Sequence, residues 1–175
     1  MNNIDDLKNS IPDYAKDIRL NLTSLITNSE YDDDIVYGCA YSSSLAADCL
    51  SELSAVFENE CRLRISDSFI ESVKSTVTIM TLNNIWYKYR DAMPISEMKT
   101  AAQRMRVNVM INHGGLDKII FESLSLCISA VNGCNFCVKA HSALLLDNGQ
   151  SKDYILMIGR IASVILAIDK ALRLK

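Results

Sequence analysis

Two cysteines and one histidine in the last third of the chain form the pattern best suited to chemistry. Cys134 and Cys137 are the only Cys-x-x-Cys pair, and His141 follows four residues after the second cysteine. Apolar residues recur at helical spacing on both sides of Asn132 and Gly133, which predicts a helix, a tight turn and a second helix. On the second helix the two thiols and the imidazole share one face, because side chains at these separations lie above one another. That arrangement indicates thiol redox chemistry.

The predicted position of the cysteines favours a reactive thiol. Both fall in the first turn of the second helix, where unpaired N–H groups and the helix dipole stabilise a thiolate, the form that attacks peroxides and disulfides. His141 lies one turn beyond Cys137 and is a candidate base or hydrogen-bond partner for it. Glu122 comes level with about residue 143 if the helices fold back on each other, so it is expected to orient His141. Glu122, His141 and Cys137 form a candidate proton relay.

Three other interpretations of the cysteine pair compete with this one. A zinc site would need a second pair of ligands, and the other cysteines, Cys39, Cys49, Cys61 and Cys127, are scattered on apolar positions. Two buried, inert cysteines that pack as small hydrophobic side chains are the second alternative. The thioredoxin use of the motif requires a βαβ unit, and no strand pattern precedes it.

The spacing of four residues resembles a known signature. Glu-x11-Cys-x-x-Cys-x-x-x-His, realised by Glu122, Cys134, Cys137 and His141, is similar to the active site of the alkyl hydroperoxidase AhpD family, the lipoyl-dependent peroxiredoxins. Three further stretches look like that family: LKNSIPDYAKDIRLNLTSL, MTLNNIWYKYR and MRVNVMINHGGLDKIIFE. The likeness thus covers nearly the whole chain. One residue departs from it, because Phe136 stands where family members often have a histidine that joins the relay.

The resemblance implies that the two thiols reduce organic hydroperoxides and that no cofactor is bound. The Cys137 thiolate would become a sulfenic acid, and Cys134 would protonate the leaving alkoxide and then close a disulfide with Cys137. His141 and Glu122 would relay the proton. The implied reductant is a dihydrolipoyl group on an acyltransferase of a 2-oxoacid dehydrogenase complex, and the same dithiol could reduce an AhpC-type peroxiredoxin. The family also implies a homo-oligomer, a trimer.

Proteins of another class would use the same residues differently. A reductase adaptor needs a docking surface and shows little peroxidase activity without its partner. A non-enzymatic redox sensor changes its assembly when the disulfide forms. Peroxide turnover with dihydrolipoamide as the only donor distinguishes the peroxidase from both.

Length and charge limit the remaining possibilities. A chain of 175 residues, 49% of them hydrophobic, is expected to form one domain, residues 1–175, with a substantial core. A net charge of −3 and a pI near 5.4 argue against a nucleic-acid-binding surface. The first residues lack the pattern of a secretory signal, and the apolar stretch 154–168 contains Arg160 and is too short to span a bilayer. A cytoplasmic protein that does not bind membranes is expected.

The pattern predicts an all-α domain of about eight helices, since only two prolines and six glycines interrupt the chain. Ser66 is expected to cap a long helix over residues 66–90, in which Trp86 and Tyr87 are candidates for the wall of a peroxide or lipoyl pocket. Another helix is predicted from Ser96 to the loop at His113. A last helix is predicted over residues 151–172.

Residues 31–61 resemble the cysteine-bearing stretch but lack its Cys-x-x-Cys pair and its histidine. A shift of 88 positions aligns Asp34 with Glu122, Cys39 with Cys127, Ala46 with Cys134, Cys49 with Cys137 and Leu53 with His141. This indicates an internal duplication in which one copy lost its chemistry. A chance match between two amphipathic helix pairs is the alternative.

Overall fold

Ten α-helices and no strand form the fold of the computed structural model, which describes residues 1–175. The helices are α1 (Ile4–Ser10), α2 (Lys16–Leu22), α3 (Asp33–Ala46), α4 (Ser51–Arg64), α5 (Asp67–Asp91), α6 (Ser96–Lys99), α7 (Asn108–Asn112), α8 (Lys118–Val131), α9 (Asn135–Asp147) and α10 (Lys152–Arg173). Eight of them contain seven or more residues, and only α6 and α7 are shorter. The predicted all-α class with about eight helices is confirmed.

Helices α3, α8 and α10 form the centre of the protein. All residues of 35–44 in α3 and of 121–129 in α8 are buried. Ile158, Ile161 and Ile165 of α10 are fully buried beside them, and each such side chain contributes about 1.5–3 kcal/mol by leaving water. A single cluster of 37 buried apolar residues extends from α1 to α10. None of the helices combines the length and the apolar character needed to cross a membrane.

Helix α5 begins and ends as predicted. The Ser66 hydroxyl accepts a hydrogen bond from the N–H of Phe69 at 3.1 Å, which satisfies one of the unpaired donors of the first turn. The helix ends at Asp91, three residues before Pro94, because a residue that precedes proline is disfavoured in the helical conformation. This helix forms one side of the candidate site described below.

The prediction of one helix from Ser96 to the His113 loop is wrong. Helix α6 stops at Lys99, residues 100–107 contain no helix, and α7 spans only five residues. Arg104 has a φ of 47°, in the left-handed region that interrupts an α-helix.

Contacts with α5 explain the irregular path of segment 100–107. The Arg90 Nη1 atom donates to the carbonyl oxygen of Ala101 at 3.3 Å, and the Gln103 amide donates to Oδ1 of Asn83 at 2.7 Å. Both bonds join residues far apart in sequence, so the tertiary contacts outweigh the local helix propensity of the segment.

The two segments related by the 88-residue shift both form helix pairs. One pair is α3 with α4 and the other is α8 with α9, and α3 packs directly against α8. At this crossing the Ser43 hydroxyl lies 3.0 Å from the Cys127 sulfur. The duplication itself stays a prediction. The position aligned with Glu122 is Asp34, and it lacks the histidine partner that Glu122 has.

Asp34 is a half-buried carboxylate whose Oδ1 atom has no hydrogen-bond partner. Burial raises the pKa of Asp34 above its ordinary value, and the nearby charge of Asp32 raises it further. The folded protein therefore holds this proton more tightly than the unfolded chain does. The ionised carboxylate destabilises the fold above its native pKa, and the penalty disappears below the pKa of the unfolded chain.

Asp34→Asn is therefore expected to raise the Tm at pH 7 by about 2 °C, a modest effect because solvent screens a partly exposed charge. Thermal unfolding followed by circular dichroism at pH 7 and pH 3 checks this. The gain should vanish at pH 3, where the carboxylate is protonated in both states. An equal gain at both pH values would mean that the amide acts through a new contact.

Candidate active site

The α8–α9 hairpin has the helix, turn and helix that the sequence predicts. Helix α8 ends at Val131, and the chain reverses through Asn132 and Gly133. Gly133 has a φ of 66°, a left-handed conformation that costs glycine little because it has no Cβ. Cys134 is the N-cap residue of α9. The reversal packs α9 against α8 and brings their side chains together.

Cys134 and Cys137 are joined by a disulfide within the first turn of α9. The Cys137 N–H donates to the Cys134 sulfur at 3.3 Å, so this sulfur occupies the position that a serine or aspartate oxygen takes in other helix caps. The two cysteines are only 1% and 3% exposed, which leaves little sulfur accessible from bulk solvent. The predicted proximity of the two thiols is confirmed.

Glu122 and His141 form a direct, buried pair. The Oε2 atom of Glu122 lies 2.6 Å from Nδ1 of His141, and each residue is 6% exposed. An ionised carboxylate only accepts hydrogen bonds, so Nδ1–H of the imidazole donates to it. The other ring nitrogen, Nε2, is then the one that can take up a proton. The predicted approach of Glu122 to His141 across the hairpin is confirmed, and their role in a proton relay stays a prediction.

An apolar cavity of about 300 Å³ opens beside these residues. Its lining consists of Met80, Asn83, Tyr87, Gln103, Val107, Met110, Glu122, Phe136, Cys137, Ala140, His141 and Leu144. Cys137 and His141 face this space together, whereas Cys134 does not line it. Of the two sulfurs, that of Cys137 is therefore the one on the cavity side.

A larger open groove of about 880 Å³ lies between α2, α8, α9 and α10. It is lined by no cysteine, histidine or carboxylate, so its size alone does not make it a reaction site. No group of three or more His, Cys, Asp or Glu side chains in residues 1–175 has the arrangement of a metal site. The chemistry of the molecule is thus concentrated at the smaller cavity.

An aromatic stack forms one wall of the cavity. The Tyr87 ring stacks on Phe136 with centroids 4.7 Å apart, and the Arg90 guanidinium lies 4.6 Å from the Tyr87 centroid. Tyr87 was predicted as a wall residue and does line the cavity, but Trp86 does not and packs near Tyr89 instead. Phe136, one of the two residues between the cysteines, thus packs against α5.

Gln103 is a cavity residue that the sequence does not reveal, and its partner Asn83 lies in the stretch MTLNNIWYKYR noted above. They line the cavity and hydrogen-bond to each other across it, from α5 and from segment 100–107. Gln103 lay inside a predicted helix, where a polar side chain is ordinarily solvent-exposed. No local signal marks it, because its role depends on a contact twenty residues away in sequence.

The four other cysteines are buried and do not line the cavity. Burial raises the pKa of the Cys49 thiol to about 11 and that of the Cys61 thiol to about 12. A hydrogen bond with Cys127, together with burial, holds the pKa of Cys39 well above its ordinary range. Thiols in such sites stay protonated at neutral pH and are poor nucleophiles. The interpretation of these cysteines as core residues is confirmed.

Known proteins resemble this chain along almost its whole length. Proteins named alkyl hydroperoxide reductase AhpD from Maricaulis maris and Streptomyces avermitilis are each 36% identical to it over 169 residues, which is 97% of this chain and 96% and 94% of the two relatives. The chain belongs to the AhpD family. A further AhpD, from Rhodopseudomonas palustris, is 33% identical over 94% of this chain and 90% of its own length.

The part of this AhpD family member from residue 96 to residue 174 also matches the carboxymuconolactone decarboxylase family. That part includes α8 and α9, and hence the disulfide, His141 and Glu122. The wall that α5 supplies, with Asn83 and Tyr87, lies outside it. The AhpD cavity is therefore completed by the N-terminal half of the chain.

Proposed function

We propose that this AhpD family member is a dithiol peroxidase that reduces organic hydroperoxides. The observation that carries the proposal is that Cys137 opens into an apolar cavity beside a histidine whose Nδ1 is held by a buried carboxylate. Apolar walls favour the alkyl or aryl group of an organic peroxide over hydrogen peroxide, which has no apolar part. The name of the relatives, alkyl hydroperoxide reductase, supports the same reaction class.

The proposed reaction starts from the reduced protein. His141 takes the proton of Cys137, and the thiolate attacks the terminal oxygen of ROOH, which breaks the O–O bond and leaves a sulfenic acid on Cys137. The alkoxide takes the proton of Cys134 and departs as ROH. The Cys134 thiolate then attacks the Cys137 sulfur and expels hydroxide, which His141 protonates to water. Two thiols supply the two electrons, and the disulfide is the oxidised product.

Two features of the site support this division of roles. Glu122 lies against Nδ1 of His141, and its negative charge stabilises the imidazolium that forms when Cys137 loses its proton. The Cys137 N–H already contacts the Cys134 sulfur, so it can stabilise the Cys134 thiolate that appears later in the cycle.

Reduction of the disulfide is proposed to use a dihydrolipoyl group supplied from outside. One thiolate of the donor attacks Cys137, the sulfur that faces the cavity, and Cys134 leaves as a thiolate. The second donor thiol displaces Cys137 and closes the lipoyl disulfide, so two electrons and two protons pass to the protein. No bound cofactor takes part in this scheme.

The proposed donor protein is the lipoylated acyltransferase of a 2-oxoacid dehydrogenase complex. The same dithiol is proposed to pass electrons to an AhpC-type peroxiredoxin, in keeping with the name alkyl hydroperoxide reductase of the relatives. A homotrimer and a cytoplasmic location stay predictions. Sedimentation velocity of the purified protein tests the first.

Peroxide consumption by the reduced protein, with dihydrolipoamide as the only donor, tests the proposed function. We expect sustained turnover of cumene hydroperoxide by the unaltered chain and none by Cys137→Ser, because the serine hydroxyl does not ionise near neutral pH. Lack of turnover by the unaltered chain, with the disulfide still forming under peroxide, would favour an adaptor or a redox sensor instead.

A further inference from the structure

Five positively charged side chains lie on the chain segments that form the candidate cavity, each next to a residue that lines it or in contact with one. This basic rim consists of Lys88, Arg90, Arg104, Arg106 and Lys139. The Lys88 ammonium donates to the carbonyl oxygen of Asn132, in the turn before α9, at 3.0 Å. The Arg90 guanidinium lies 5.5 Å from the centre of the Phe136 ring, and Lys139 is exposed on α9. Lys88 and Arg90 therefore border the side of the cavity formed by α5 and α9, and Lys139 directly precedes the lining residue Ala140.

Arg104 and Arg106 belong to a third segment of the cavity wall. Both are exposed in segment 100–107, and the residues on either side of them, Gln103 and Val107, line the cavity. A molecule too large to enter the cavity would therefore approach positive charges from α5, from α9 and from segment 100–107.

The rim is positive on a protein that is otherwise negative. Residues 83–113 and 130–144 contain six of the 18 Lys and Arg residues but only two of the 21 Asp and Glu residues, Asp91 and Glu97. The rest of the chain contains twelve Lys and Arg residues and nineteen Asp and Glu residues. The surrounding negative charge repels polyanions such as nucleic acid or an anionic membrane, whereas a local basic patch selects a partner of limited size.

The rim cations are also free of carboxylate partners. None of the five lies within 4.0 Å of an acidic side chain. The arginines paired with carboxylates lie elsewhere, and they are Arg19, Arg62, Arg64 and Arg173. Unpaired cations attract complementary charges on an approaching protein and speed its association.

The depth of the disulfide indicates what approaches the rim. The two cysteines are almost fully buried, so a dithiol fixed on a protein surface would not reach them. A thiol on a slender, extended arm fits a cavity of about 300 Å³, while the body of the donor stays at the mouth. The folded part of the donor protein, and not its arm, would then be the part that meets Lys88, Arg104, Arg106 and Lys139.

We infer that the basic rim docks an acidic surface of the protein that carries the dihydrolipoyl arm. This inference rests on the proposed function and adds the recognition chemistry of its electron donor. The charges bring the donor to the mouth of the cavity, and the arm delivers its thiolate to Cys137.

The test compares two double variants with the same change in net charge. Arg104→Glu with Arg106→Glu reverses the rim, and Lys16→Glu with Lys152→Glu reverses two exposed, unpaired lysines outside it. For each protein, the rate of Cys134–Cys137 reduction is measured by stopped flow with free dihydrolipoamide and with a reduced, lipoylated acyltransferase. The ratio of the second rate to the first isolates the docking contribution.

We expect the rim variant to lower this ratio by about 10-fold or more at low ionic strength and the control to leave it within about twofold, since charge reversal at an interface acts mainly on association. The ratio for the unaltered chain should also fall with added NaCl, while that of the rim variant should not, because salt screens the attraction.

An unchanged ratio in the rim variant would overturn the inference. The inference would also fail if the rim variant only raised the KM for a hydroperoxide that bears a carboxylate, because the rim would then bind the substrate. Reduction of the unaltered chain by dihydrolipoamide but not by the acyltransferase would refute the docking alone. Failure of both donors would refute the proposed function itself.

Discussion

Replacing Cys134 with serine is expected to convert a catalyst into a protein that reacts once. Cys137 still faces the cavity and still meets the peroxide, so one equivalent per subunit should be consumed, although more slowly without the proton of Cys134. No disulfide can then form, and the sulfenic acid stays on Cys137. Steady-state turnover should fall by on the order of 100-fold or more. Mass spectrometry after trapping with dimedone locates the sulfenic acid.

Cys49→Ser is the matched control, because it removes a thiol that does not line the cavity. Its turnover should equal that of the unaltered chain. If dimedone instead labels Cys134 in the Cys137→Ser variant, and Cys137 stays unlabelled in Cys134→Ser, the two cysteines have the opposite roles.

Glu122→Gln is expected to slow the peroxide step by about 10- to 100-fold, within the range that positioned acid–base groups contribute. The glutamine oxygen can still accept from Nδ1–H of His141, so the geometry of the pair is kept and only the charge is lost. Without that charge the imidazolium is less stable, and the Cys137 thiolate forms only at higher pH. Alkylation of Cys137 by iodoacetamide across the pH range measures this shift.

Asp34→Asn serves as the matched control for Glu122→Gln. It makes the same change from carboxylate to amide at the position that the 88-residue shift aligns with Glu122, but Asp34 does not line the cavity. Its alkylation profile should coincide with that of the unaltered chain. An unshifted profile in Glu122→Gln as well would remove Glu122 from the relay.

The α8–α9 hairpin could be predicted from the sequence because its determinants are local. The helical spacing around Asn132 and Gly133 indicates two helices and a reversal, and the reversal alone brings Glu122 level with His141. The position of Cys137 beside His141 then follows, because Cys137 lies in the first turn of the second helix. No residue outside the hairpin is needed to anticipate this part of the site.

The rest of the cavity could not be predicted, because it depends on contacts between distant residues. Segment 100–107 has the composition of a helix, and only its hydrogen bonds to α5 show why it runs irregularly beside Cys137. In the same way, Phe136 differs from the histidine common in the family, but the sequence does not show that it stacks on Tyr87. Local periodicity does not encode such pairings.

The burial of the four core cysteines has a consequence for oxidative damage. If the proposed function is correct, the protein meets peroxide in every cycle, and each sulfur that solvent reaches can be oxidised in place of Cys137. Cys39, Cys49, Cys61 and Cys127 are shielded in the core, whereas Met98 and Met105 are 41% and 42% exposed in the region that contains the basic rim. Under the proposed function, peroxide arriving from solvent would meet the exposed Met98 and Met105 thioethers before any sulfur of the core.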